Sequence, residues 1–153
     1  MSIDVRVATT VRKPRAVVAS VLFDPRYEPD WRAAVLDAYP VEDKPLRAGA
    51  RIERVTRFLG VRQTDVAEVL ELAPERFLEI AVFKPFPMKQ RLELEGIPEG
   101  AIVHLRLRGR LPWWWLPASP LLRTTFRRAA IRDLTNLKRL MESNEYRRLD
   151  QDE

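Results

Sequence analysis

The run SPLLRTTFRRAAIRDLTNLKRLMESNEYRR, residues 119–148, decides the fold. Within it Leu122, Phe126, Ala130, Leu134, Leu137 and Met141 recur three or four residues apart, which on a helix makes one apolar stripe. Arg123, Arg127, Arg128, Arg132, Lys138 and Arg139 take the opposite face. Pro117 and Pro120 bar a helix from running in from upstream, and Ser119 is placed to cap the first turn. A helix of roughly 30 residues reaches about 45 Å. Local packing needs less than that, so the spacing predicts a long helix laid across a broad surface.

The residues upstream read as that surface. Met88, Gln90, Leu92 and Leu94 alternate with Lys89, Arg91, Glu93 and Glu95, the clearest two-faced strand in the chain. Leu78, Ile80 and Val82 alternate in the strand before it. Val103, Leu105 and Leu107 do so in the strand after, with His104, Arg106 and Arg108 facing out. Residues 33–41, 50–59 and 62–72 read as three more strands, with turns near Pro45 and Gly49, at Gly60 and at Pro74-Glu75. Pro85 and Pro87 mark a bend or open loop, and Gly96–Gly100 a turn.

At the start of the chain Ile3, Val5 and Val7 alternate as a strand, and Pro14 suits the first turn of a helix faced by Val17, Val18, Val21 and Leu22. Asp24-Pro25 ends that helix. Arg26 to Trp31 reads as a short second helix or turn, with Trp31 as a core plug. Hairpin-length connections exclude a parallel sheet, which would need crossover helices. The expected class is therefore α+β: a curved antiparallel sheet of about seven strands, in the order strand, two helices, six strands, helix. It would wrap the long C-terminal helix as a single domain over residues 1–149, with 150–153 as a loose tail.

Composition narrows function mainly by exclusion. The chain has 153 residues, 46% hydrophobic and 32% charged, which is ordinary for a globular domain. It holds no apolar run long enough to span a bilayer and no signal-like segment at its start, so a cytoplasmic location is expected. Without cysteine there is no disulfide and no thiolate nucleophile. The net charge of +5 equals the surplus within 119–148, where eight basic residues face Asp133, Glu142 and Glu145. That pattern fits a solvated helix face better than a nucleic-acid footprint, so no nucleic-acid partner is expected.

Certain landmarks have a familiar order. They are Lys13-Pro14 through Val21-Leu22, then Asp24, Tyr27 and Trp31; Gly49-Ala50-Arg51; Phe58-Leu59-Gly60; and Val69 followed by Pro74-Glu75-Arg76-Phe77. Leu134, Leu137-Lys138, Leu140 and Glu142 complete the series. In these the chain resembles the START-like superfamily (SRPBCC, or Bet v 1-like helix-grip proteins), and within it the polyketide cyclase/dehydrase-like branch. The resemblance implies a cavity between sheet and helix for a hydrophobic small molecule or lipid, which the protein would bind or transport. Its alternative is a cyclase or dehydratase. Fold by itself does not choose between them.

The candidate sites follow from that geometry. Phe58, Val82, Phe83, Phe86, Met88, Gln90 and Leu92 would line the sheet side and its loop. Phe126, Ala130, Asp133, Leu134 and Leu137 would line the helix side, and Trp114 the entrance. Asp133 is the candidate for proton transfer, since a buried carboxylate can have a raised pKa, unless an arginine such as Arg106 or Arg54 pairs with it. His104 faces away from the cavity. No metal-ligand spacing and no glycine-rich phosphate loop is present, so no metal and no cofactor is expected. Trp113, Trp114 and Trp115 cannot all point inward, because successive side chains alternate. Three readings compete for them: a plug at the cavity end, contact with a membrane surface, and a protein or homodimer contact. Ligand identity and oligomeric state are not legible.

Overall fold

The structure, a computed structural model, describes residues 2–147. Strand β1 (Ser2–Val11) is followed by helix α1 (Arg15–Leu22), a 3₁₀ turn (Pro25–Tyr27) and the single-turn helix α2 (Glu28–Trp31). Strands β2 (Val35–Pro40), β3 (Arg51–Phe58), β4 (Val61–Ala73), β5 (Phe77–Val82), β6 (Met88–Ile97) and β7 (Gly100–Arg110) follow. A second 3₁₀ turn (Trp113–Ala118) leads into helix α3 (Ser119–Glu142). All seven strands form one antiparallel sheet in the order β1-β7-β6-β5-β4-β3-β2.

Alternation fixes which face is buried. Met88, Gln90, Leu92 and Leu94 of β6 point inward, as do Ala101, Val103, Leu105 and Leu107 of β7. A register slip of one residue would turn every one of them outward. Two irregularities, at Val35/Asp37 in β2 and Val69/Glu71 in β4, interrupt the ladder; such bulges bend a strand and sharpen its twist. The β3–β4 hairpin closes over Leu59 and Gly60, both at positive φ (49° and 79°), as a two-residue primed turn requires. At Gly109 a β-carbon would lie 2.8 Å from Met88 Cγ and 3.1 Å from Phe86 Cε2. Glycine there lets Phe86 close over the end of β7.

Helix α3 packs against β1 and α2, burying Leu122, Ala130, Asp133, Leu134, Leu137, Leu140 and Met141. It is shorter than its apolar pattern suggests. The helix has 24 residues, about 36 Å, and stops at Glu142 because Asn144 adopts the left-handed conformation (φ 61°). Lys13 Nζ donates to Asn144 Oδ1 at 2.7 Å and the Arg12 N–H to Glu142 Oε1 at 3.1 Å, tying this end to the corner after β1. Ser119 does not cap the helix. The preceding 3₁₀ turn runs straight into it, with Ala118 already in the helical region (φ −91°, ψ 0°), so no extended capping residue exists. The expected extension to Arg148 and the tail 150–153 reach outside the described residues. Among the described residues no helix is long and apolar enough to cross a membrane.

Candidate functional site

The inner side of the sheet carries an aromatic cluster and a buried polar network. At one end Phe58 (the last residue of β3), Phe86 (the β5–β6 loop), Trp115 (the 3₁₀ turn) and Phe126 (α3) make an aromatic cluster. Phe58 stacks on Phe126 with ring centres 5.8 Å apart, Phe86 meets Phe126 edge-on at 5.8 Å, and Trp115 lies 5.9 Å from Phe58 and 6.2 Å from Phe86. Offset and edge-to-face rings of this kind are favourable beyond the area they bury. Of the three consecutive tryptophans, Trp115 is thus part of the plug. Trp113 and Trp114 are exposed (77% and 63%).

The loop carrying Phe86 is held from outside. Asp65 Oδ2 accepts from the backbone N–H groups of Phe83 (3.0 Å) and Lys84 (3.1 Å), and Lys84 Nζ donates to the Thr64 carbonyl at 2.9 Å. The Lys84–Pro85 peptide is cis. Phe83 is turned out, half exposed. Phe83, expected on the cavity wall, and Trp114, expected at its entrance, are both turned to solvent, while Phe86 and Trp115 of the same two segments point inward. Val82, Met88, Leu92, Ala130, Leu134 and Leu137 are buried on the inner faces of sheet and helix.

The centre is a buried polar network drawn from every layer. Glu28 comes from α2, Arg32 from the residue after it, Arg54 from β3, Gln90 from β6 and Asp133 from α3; all five are less than a tenth exposed. Arg54 donates to Glu28 through Nε (3.2 Å) and Nη2 (3.3 Å), a fork-to-fork pair. Arg32 Nη1 donates to Glu28 Oε1 at 3.4 Å and to the Gln90 side-chain oxygen. Its Nε lies 3.6 Å from Asp133 Oδ2, while Asp133 Oδ1 accepts from the Ala33 N–H at 3.1 Å. Two guanidinium groups offset two carboxylates, so the cluster is neutral overall and its charges are paired, as burial demands. Burial raises the Asp133 pKa, opposed by the Arg32 charge and the Ala33 N–H. Burial likewise pulls the Arg54 guanidinium below its usual range, opposed by Glu28.

The partner of Asp133 is Arg32, not Arg106 or Arg54. Arg106 lies on the outer face of β7, donating to both oxygens of Asp4 (3.1 and 2.9 Å). Trp31, the expected plug, is 1% exposed, with the Arg32 guanidinium 5.6 Å from its ring centre. His104 lies on the outer face as expected, 3.6 Å from Glu95.

Beside the network lies a small, partly open pocket of about 20 Å³. Leu22, Ile52, Leu78, Ile80 and Leu92 supply its apolar wall, Glu28 and Gln90 its polar side, and Phe23 and Pro25 close it. The same Phe23 and Pro25 also line an open groove of about 840 Å³ between α1, the end of β2 with the loop to Leu46, and the β4–β5 turn. Phe23 and Pro25 are therefore common to the small pocket and the surface groove. Asp133 does not line this pocket; both of its oxygens are occupied in holding Arg32 and the start of the chain into β2.

A long helix gripped by a seven-stranded antiparallel sheet, with two short helices between β1 and β2, is the Bet v 1-like helix-grip fold. Solved structures share it across nearly the whole chain. Protein NE0264 from Nitrosomonas europaea superposes with a TM-score of 0.72 at 17% identity, over 94% of this chain and 97% of that one. The di-domain ARO/CYC StfQ from the steffimycin biosynthetic pathway gives 0.77 at 14% identity; 95% of this chain is covered, but it spans only 52% of StfQ. Ara h 8.0201 gives 0.68 at 11% identity, over 94% and 99%. No family model matches the sequence, and no curated protein matches it.

Proposed function

We propose that this protein binds a hydrophobic small molecule or lipid carrying one polar oxygen, seated between α1–α2 and the inner face of the sheet. The observation that carries this reading is the small pocket lined mostly by apolar side chains, with Glu28 and Gln90 as its polar members. Ligand sites characteristically combine an apolar wall with a few placed polar groups. About 20 Å³ is room for a single water, so a ligand enters by displacing Phe23 toward the adjoining groove. Its hydroxyl or carbonyl oxygen then meets the Gln90 amide, and a hydroxyl hydrogen meets Glu28. Likeness of fold to an ARO/CYC protein and to Ara h 8.0201 is compatible with such a role.

The test is binding of the fluorescent probe anilinonaphthalene sulfonate, followed by its displacement with fatty acids and with hydroxylated polycyclic aromatics. Phe23→Ala is expected to enlarge the pocket and tighten probe binding. Gln90→Leu is expected to weaken a hydroxylated ligand about tenfold while sparing its hydrocarbon analogue, the loss of one buried hydrogen bond. Probe binding that neither substitution alters would remove the site.

A second reading, a cyclase- or dehydratase-like enzyme, is favoured by one observation: Glu28 is a carboxylate on the pocket wall. In that case Glu28, not Asp133, is placed to move a proton. Turnover abolished by Glu28→Gln in a protein that still binds ligand would support it.

A further inference from the structure

The outer side of the turn that carries Trp115 has no role in the interior. Trp115 is locked between Phe58 and Phe86, so the turn is anchored and its two preceding tryptophans project from a fixed base. Trp113 and Trp114 meet each other edge-on at 5.8 Å and are otherwise turned to solvent. Leu116 on the same turn and Leu121 in the first turn of α3 are exposed as well, Leu121 at 70%. Leaving four large apolar side chains in water at one place is unfavourable, and such patches mark contact surfaces.

Charge identifies what the surface contacts. From Gly100 to Arg132 the chain has seven arginines and no acidic residue. Arg106 and Arg108 are taken up by Asp4 and Glu79 on the outer sheet face. Arg110, at the strand end before the turn, and Arg123, Arg127 and Arg128, in the first turns of the helix after it, are exposed and make no ion pair among the described residues. A projecting pair of tryptophans flanked by unpaired arginines combines the two features of membrane-interface binding. The indole rings settle at headgroup depth, and the guanidinium groups meet lipid phosphates.

We infer that Trp113, Trp114, Leu116 and Leu121, with Arg110 before the turn and Arg123, Arg127 and Arg128 after it, form a peripheral docking surface for an anionic lipid bilayer. The contact is interfacial and reversible, and it is independent of what occupies the interior.

Cosedimentation with phosphatidylglycerol-containing vesicles, against vesicles of phosphatidylcholine alone, tests it. The wild-type chain is expected to pellet with the anionic vesicles only, to be released by high salt, and to show blue-shifted, brominated-lipid-quenched tryptophan emission on binding. Trp113→Ala with Trp114→Ala is expected to weaken binding about tenfold or more. Arg123→Gln with Arg127→Gln and Arg128→Gln is expected to remove the preference for anionic lipid. Wild-type protein left in the supernatant overturns the inference, and so does binding that the tryptophan pair does not affect. A dimer in light scattering that the same double substitution dissociates would assign the patch to a second copy instead. Quenching by brominated lipid needs no variant, so the inference stays testable even if a substituted chain fails to fold.

Discussion

Arg32 is the residue through which three layers communicate. It touches Glu28 from the helix it follows, Gln90 from the sheet and Asp133 from α3. Removing one partner leaves a buried charge short of compensation, which costs far more than the intact pair contributes. Asp133→Ala is therefore expected to lower stability by about 3 kcal/mol or more, measured by urea denaturation. Acid sensitivity follows from the signs of the shifts. The Asp133 pKa is raised in the folded state, so its charge weighs against folding above that pKa and the penalty is relieved as pH falls through it. Glu142 is the opposite case. Burial pushes its carboxyl up, but the Arg12 N–H and Lys138 hold it below the ordinary value overall. Its contribution is present above the usual glutamate pKa and is lost as pH falls through the lower folded value. Glu142→Gln is thus expected to reduce stability at neutral pH and to flatten the loss on acidification, which a denaturation series across pH would show. Gln90 and Asp133 were legible as inward polar residues because they sit in strong periodic patterns. Arg32 and Glu28 were not, because α2 is a single turn and four residues carry no periodicity to read.

At the scale of elements, strand alternation and the apolar stripe of α3 are local patterns, and the structure follows them. Leu137 lies at the centre of that stripe and is fully buried. Leu137→Ala is expected to cost about 2–5 kcal/mol, depending on how far the site collapses, again read by urea denaturation. Element ends were less legible. Tyr146 is buried beyond the end of α3, so the apolar spacing continues past the point where Asn144 turns the chain. Helix α3 begins at Ser119 as its flanking prolines indicate, but Ser119 is its first helical residue and not a cap: the tryptophan-bearing turn before it is itself helical, so no extended residue precedes the helix. Which tryptophan faces in depends on contacts with Phe58 and Phe86, some 30 to 60 residues away in sequence. No local pattern carries that information.

For the whole molecule, the helix-grip architecture was legible because every hairpin and both short helices left their own marks. The interior was not. Its shape depends on how side chains from β3, the Phe86 loop, the tryptophan turn and α3 meet, as Phe58, Phe86, Trp115 and Phe126 do. The small pocket lies toward α1 and α2, beside the polar network, and shares Phe23 and Pro25 with a surface groove. If the protein functions as proposed, this pocket opens to hold an apolar molecule with a polar end. Native mass spectrometry of the protein as purified from cells, with denaturing extraction of whatever it carries, tests that claim most directly. The account predicts a bound species of discrete mass, released on denaturation, oxygen-bearing and apolar, and retained less well by Gln90→Leu. A protein that is empty as purified, and stays empty after incubation with fatty acids and polycyclic aromatics, would contradict it.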